Sequence, residues 1–254
     1  MAQLFRGRGQ HKSQGPSTQV LPETTWANEP MPTGIPPTDK VVITIARQFG
    51  SGGTEIGRIL ASESNLSYLD REIIDEVARR LGVNPQQIEQ QEEHSTGSVR
   101  HILEAIQASH LFTVNYNALF GANMTSDRVK ELAYVRLTQR VILELATAGN
   151  AVIIGRGAQF LLHNAPRTLH IYIFAPLPYR VERVMERFQL DHASALEMIE
   201  QRDYELDIYA RRFYGLNRHQ TSFYHLLINT SIFSPELAAD FIRQALPVAK
   251  EIGL

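Results

Sequence analysis

Apolar residues recur along this chain with two periods. Val41-Val-Ile-Thr-Ile45 is a β-branched run that ends in a glycine cluster, and the segment from Glu55 to Ser64 behind it has helical spacing. Three more short runs follow: Ala151-Val-Ile-Ile154, stopped by Gly155; Leu169-His-Ile-Tyr-Ile-Phe174, stopped by Pro176; and Leu226-Leu-Ile228. Each precedes a helical pattern, and Tyr68-Leu69 reads as one further short strand after the first helix. Short strands alternating with helices predict an α/β fold, a parallel sheet with helices on both faces and right-handed crossovers. Between Pro85 and Gly149 the pattern predicts a long helical insert. There Val129, Leu132, Ala133, Leu137, Val141 and Leu145 keep the spacing of one buried face, and Gly149-Asn150 ends the helix.

Both periods fail before Lys40. Six of the 12 prolines (Pro16, Pro22, Pro30, Pro32, Pro36, Pro37) lie there among Gly, Ser, Thr and Gln, so residues 1–39 are expected to be a disordered extension and residues 40–254 one domain. The patch Arg6-Gly-Arg8-Gly-Gln-His-Lys12 offers charge to an anionic partner or is simply solvated, and Trp26 is a local anchor. No feature names a protein partner for this tail.

Composition narrows the chemistry further. The chain has no cysteine, which excludes disulfides, thiolate metal sites and cysteine nucleophiles, and a reducing cytoplasm is the expected location. Its longest apolar runs fall far short of the roughly 20 residues that a spanning helix needs, and no membrane association is expected. With Lys+Arg 25 against Asp+Glu 27 there is no basic field to gather a nucleic acid, which is not an expected partner. The nine histidines show no HExxH, HxH or HxxxH spacing, and no G-x-S-x-G elbow is present.

The most informative segment is Ile45-Ala-Arg-Gln-Phe-Gly50-Ser-Gly-Gly-Thr-Glu-Ile-Gly57, whose glycines sit between the end of a strand and the start of a helix. Glycines let a backbone turn with positive φ and approach an anion, while free N–H groups and the helix N-terminus supply positive charge. Against the phosphate-loop pattern G-x-x-x-x-G-K-[ST], Arg47 takes the place of the first glycine, Gly52 the second, Gly53 the lysine and Thr54 the hydroxyl. The lysine's mobile point charge is therefore missing, and Arg47 or Arg58 is the candidate substitute. A tight strand-to-helix turn with no ligand is the alternative.

Arginines supply the other candidates. Arg156, in Ile153-Ile-Gly-Arg156-Gly-Ala, stands at the C-terminal edge of a central strand, where open α/β sheets bind ligands; it reads as a phosphate ligand or as a salt-bridge tether. Asp70, in Tyr68-Leu-Asp70-Arg71-Glu72, reads as a substrate-orienting or Mg²⁺-holding acid, or as a plain N-cap. Arg180, Arg183 and Arg187 recur at spacings of 3 and 4 on one helix face, with Glu186 able to pair with Arg183. Arg202, beside Asp203, projects into the apolar stripe Leu196, Ile199, Leu206, Tyr209, Phe213 and wants a partner there, whereas Arg211 and Arg212 lie off it.

Taken in order, the glycine loop, Tyr-Leu-Asp70-Arg71-Glu, Val-Ile-Ile-Gly-Arg156-Gly-Ala, Gln-Arg202-Asp203, Arg211-Arg-Phe-Tyr-Gly215 and Tyr224-His-Leu-Leu-Ile-Asn-Thr230 resemble the cytidylate kinase-like family of P-loop nucleoside monophosphate kinases. The resemblance runs from about Val41 to the C-terminus. It implies a P-loop NTPase-type sheet of five parallel strands flanked by helices, with a helical acceptor-binding insert and a mobile lid. It implies transfer of the γ-phosphoryl of ATP to CMP, dCMP or a similar monophosphate, with Mg²⁺ bridging and small-molecule nucleotides as the partners. Gly50, Ser51, Gly52, Gly53 and Thr54 then cradle the donor phosphates, with Thr54 nearest the metal. Arg180 and Arg183 join them from the lid, Asp70, Arg71, Arg156 and Arg212 face the acceptor, and Arg47, Arg156, Arg202 and Arg211 serve the transfer itself. Leu206 departs from the lid pattern, which has an arginine there. Two other readings stay open: a catalytically weak nucleotide-binding module whose tail recruits a partner, and a kinase of a non-nucleotide acceptor.

Overall fold

The computed structural model describes residues 29–80 and 126–252. Five strands form one sheet: β1 (Val42–Arg47), β2 (Ser67–Leu69), β3 (Ala151–Ile154), β4 (Thr168–Phe174) and β5 (Leu226–Asn229). Their order is β2-β3-β1-β4-β5 and every pairing is parallel, with Val42 opposite Ala151 on one side and Thr168 on the other. The expected α/β fold is therefore present, and each of the short apolar runs is a strand. The helices are α1 (Gly53–Ser64), α2 (Arg71–Arg80), α3 (Ser126–Ala148), α4 (Ala158–Leu161), α5 (Leu177–Phe188), α6 (His192–Tyr214) and α7 (Pro235–Ala249). The expected helical insert is seen as α3, while residues 81–125 lie outside the described residues.

A parallel strand is covered on both faces, so alternate side chains feed two cores. Ile43, Ile45, Val152, Ile154, Ile171 and Ile173 point to one side and pack under α1 and α7, against Ile56, Leu60, Ala238 and Ile242. Val42, Ala151 and Ile153 point to the other, under α2, α3 and α4, against Ile73, Val77, Leu137, Val141 and Leu162. Each fully buried Ile or Leu contributes about 1.5–3 kcal/mol, so truncating Ile43 or Leu60 would cost more than any surface pair here. The hairpin α5–α6 has its own small core, Val181, Val184, Ala195 and Ile199, and Phe49 of the glycine loop inserts into it and stacks on Phe188.

The segment before β1 differs from its expectation. Residues 1–28 lie outside the described residues, but residues 29–39 are docked on the body. Arg140 on α3 donates to the carbonyls of Glu29 and Pro30 at 3.2 Å, and Arg167 donates to those of Pro36 and Pro37 at 2.5 and 3.2 Å. Prolines have no N–H to satisfy, so a proline strap can give its carbonyls to two buried arginines without needing a sheet or helix of its own. A periodicity test cannot detect such docking.

Candidate active site

Because β1 lies between β3 and β4, the loops that leave β1 and β3 emerge side by side at the C-terminal edge of the sheet. The Gly155 N–H donates to Ile45 O at 2.9 Å and holds them together. The first of these loops, residues 48–52, climbs from β1 into α1 with Gly50 and Gly52 at φ +79° and +83°. Gly52 caps α1 with no side-chain hydrogen bond, so the first-turn N–H groups keep their capacity to meet an anion. The second loop, Gly155-Arg156-Gly157, has φ of +68°, +58° and +72°. Arg156 holds a conformation that costs a non-glycine residue about 1 kcal/mol or more, the kind of strain that collects at ligand sites.

Arg47 runs between these loops. A Cβ on Gly53 would stand 2.7 Å from Arg47 Cβ, and one on Gly155 would stand 2.0 Å from Arg47 Nη1. The path of Arg47 thus leaves no room for a side chain at Gly53, so a lysine there is sterically incompatible with it, while Gly155 is favoured by its φ of +68°. The half-buried guanidinium makes no hydrogen bond or ion pair within the described residues. Desolvation pulls its pKa down, Asp70 opposes that, and the like charges of Arg156 and Arg218 add to it. The site is short of negative charge where an anion would lie.

Asp70 is held by its neighbours. Tyr68 Oη donates to Asp70 Oδ2 at 3.2 Å, and the Asp70 N–H donates to Glu72 Oε2 at 3.0 Å. Burial first and the Asp70 carboxylate second hold the Tyr68 phenol above its ordinary pKa, so it stays a donor. Arg71 is exposed beside Asp75 on α2. Tyr214 closes this side from above: its hydroxyl donates to Arg156 O at 3.1 Å and its ring covers Gly157. Burial pushes the Tyr214 phenol up to about 12.

Beneath the glycine loop lies a network that sequence reasoning did not find. Asp203 on α6 accepts from the Phe49 N–H at 3.0 Å, from Arg180 Nη1 at 2.6 Å and from Arg218 Nη2 at 3.2 Å. Arg180 also donates to Phe49 O and Ala175 O, and Arg218 to Arg47 O at 3.0 Å and to Asp207 at 2.5 Å. Ser51 is bolted in as well: its hydroxyl donates to Gln48 O at 2.8 Å, and Thr230 Oγ1 donates to Ser51 O at 2.7 Å. Asp203 and Asp207 sit one helical turn apart, a spacing that could have flagged them, but Arg218 belongs to no periodic segment.

The structure therefore separates the candidates. Gly50, Gly52, Gly53, Thr54, Arg47 and Arg156 come together at the sheet edge. Arg183 reaches the loop from α5 and pairs with Glu55 at 2.7 Å. Ser51 and Arg180 face inward and hold the loop rather than its outer surface. Arg202 pairs with Glu205 at 3.1 Å, Arg212 pairs with Glu131 on α3, Arg211 is exposed, and Leu206 is half-buried on α6. Among the described residues no group of three His, Cys, Asp or Glu side chains could hold a metal, and no helix is long and apolar enough to cross a membrane.

The family model described as the cytidylate kinase-like family matches residues 42–232. The chain is 25% identical to a cytidylate kinase of Pyrococcus horikoshii over 218 residues, covering 85% of this chain and 94% of that one. It is 27% identical to a cytidylate kinase of Ignicoccus hospitalis over 207 residues, covering 81% and 98%. Among solved structures, an uncharacterized protein from Eubacterium ventriosum superposes with TM-score 0.54 at 21% identity, covering 82% of this chain and 99% of that one, a likeness of fold.

Proposed function

This chain belongs to the cytidylate kinase-like family, and on that premise we propose that it transfers the γ-phosphoryl group of ATP to a nucleoside monophosphate, CMP or dCMP first among them. The observation that carries the proposal is Arg47, without a partner among the described residues and laid across Gly53 and Gly155 between the glycine loop and the Arg156 turn. Its guanidinium takes over the charge that a loop lysine supplies elsewhere. Phosphoryl transfer needs positioning and charge neutralisation rather than a covalent nucleophile, and an acceptor phosphate is already anionic, so no general base is required.

In this reading the N–H groups of residues 50–54 hold the donor phosphates, Arg47 bridges donor and acceptor, and Arg156 and Asp70 orient the acceptor. Arg180, Asp203 and Arg218 keep the loop in shape behind them. A Mg²⁺ ion fits as one that arrives on the nucleotide: the protein offers the half-buried Thr54 at the first turn of α1, and Mg²⁺ commonly takes one or two protein oxygens besides phosphates and water. When bound it would supply positive charge that neutralises the phosphates during transfer. Arg211, exposed in the last turn of α6, is the lid residue assigned to the transferring group.

A second reading, a weakly catalytic nucleotide-binding module, draws support from the lid arginines already engaged by carboxylates (Arg180, Arg202 and Arg212) and from Leu206. ADP formation with ATP and Mg²⁺ separates the two, measured across CMP, dCMP, UMP, AMP and GMP with a no-acceptor blank and Arg156→Ala alongside. Acceptor-dependent turnover that collapses in the variant is expected. Binding of ATP with silence across the panel would favour the second reading or a non-nucleotide acceptor.

A further inference from the structure

The ion pair between Arg183 and Glu55 differs from the Arg180–Asp203 pair that also joins the α5–α6 hairpin to the glycine loop region. The Arg180–Asp203 pair is buried behind the loop, with side chains 8% and 20% exposed, and it is reinforced by main-chain acceptors. The Arg183–Glu55 pair lies in front, 32% and 50% exposed, and rests on a single bond from Arg183 Nη2 to Glu55 Oε2. Its position is marked by Gly52. A Cβ there would lie 3.4 Å from Arg183 Nη2 and 3.9 Å from Glu55 Oε2. The pair therefore spans the uncapped N-terminus of α1, directly over the residue that shapes the cradle.

Two features make this pair exchangeable. The first-turn carboxylate is favoured by the free N–H groups at the head of α1, the same groups that favour a bound phosphate. The guanidinium, packed beside the Tyr179 ring at 5.9 Å and also interacting with the Tyr179 side chain, donates to Glu55 through Nη2, and its planar fork matches phosphate oxygens as well as carboxylate oxygens. Glu55 thus stands where part of an anionic ligand belongs and holds the cation that such a ligand would use.

We propose that Glu55 is a positioning residue that acts as an internal stand-in for phosphate: it latches Arg183, and with it α5, to the head of α1, and the phosphates of a nucleotide displace it. This rests on reading the glycine loop as the donor-phosphate site. The latch sets donor affinity, because each binding event must first release Arg183 from Glu55.

The test is calorimetric binding of ADP, without Mg²⁺, to the full chain as wild type, Glu55→Gln, Arg183→Gln and the double variant. Glu55→Gln is expected to tighten ADP binding by about two- to fivefold, the worth of one exposed ion pair, and Arg183→Gln to weaken it by a similar factor. In the double variant the gain from Glu55→Gln should vanish, since without Arg183 there is nothing to release. Equal tightening in both backgrounds would mean plain repulsion by Glu55 and overturn the latch; so would unchanged or weaker binding by Glu55→Gln. Failure of the wild type to bind ADP at all would instead strike the donor-site reading on which the latch rests. Both side chains are exposed enough that unfolding temperatures should stay within about 4 °C of wild type, which confirms folded variants.

Discussion

The two sides of the glycine loop use the same residue type for opposite purposes. Behind the loop, Arg180 and Arg218 are buried, and their guanidinium groups are held by Asp203, Asp207 and main-chain carbonyls. In front, Arg47 is half-buried with no partner within the described residues, and Arg183 holds one exposed carboxylate. A buried arginine held by a carboxylate and main-chain carbonyls is scaffold, because removing it strands charge in a poor solvent. A desolvated arginine with no partner among the described residues carries a cost that a bound anion would offset.

The sharpest way to break this contrast is Asp203→Ala. It leaves Arg180 and Arg218 without their shared carboxylate and the Phe49 N–H without its acceptor, and is expected to cost about 3–5 kcal/mol in denaturant unfolding. Arg47→Ala should do the reverse. Steady-state kinetics should show kcat/KM for ADP formation falling roughly 100- to 1000-fold, while the unfolding midpoint stays put or rises.

The scaffold also has an acid limit. His170 lies buried on β4 with Nδ1 2.7 Å from Thr44 Oγ1 and its ring stacked on His225 at 5.0 Å. Burial, helped by His225, pushes its pKa down to about 3. The unfolded histidine binds a proton near the usual value of about 6.5, so below that pH the unfolded state holds the extra proton and stability falls as pH falls. Stability measured between pH 7 and 4 should fall by up to about 1.4 kcal/mol per pH unit, and His170→Gln should flatten that slope. The smallest effect belongs to the exposed edge: Arg212→Ala, which loses Glu131, should change stability by at most about 1 kcal/mol in the same unfolding assay.

How much of this was legible in the sequence depended on range. Strands announced themselves because Val, Ile and Leu fill both faces of a parallel strand, so even Ala151–Ile154 stood out, and the glycine loop is a local motif. The scaffold network did not, since its bonds join Phe49 to Asp203 and Arg47 to Arg218 across 154 and 171 positions. No periodicity links residues that far apart, and an arginine in a sequence does not show whether it faces inward, as Arg180 does, or outward, as Arg183 does. The strap was missed for a related reason: its prolines lack any period, and its anchors, Arg140 and Arg167, lie more than 100 residues away. Gly53 was read as a missing lysine. The structure supplies the reason, since its Cβ position is taken by Arg47.

That exchange of a lysine for an arginine is the centre of the account, and one measurement tests it directly. ADP formation should be compared for the wild type, Arg47→Gly, and Arg47→Gly combined with Gly53→Lys, which removes the blocking side chain and restores the lysine. The account predicts a loss of roughly 100-fold or more in the single variant and a measurable recovery in the double one. Wild-type turnover in Arg47→Gly would contradict it.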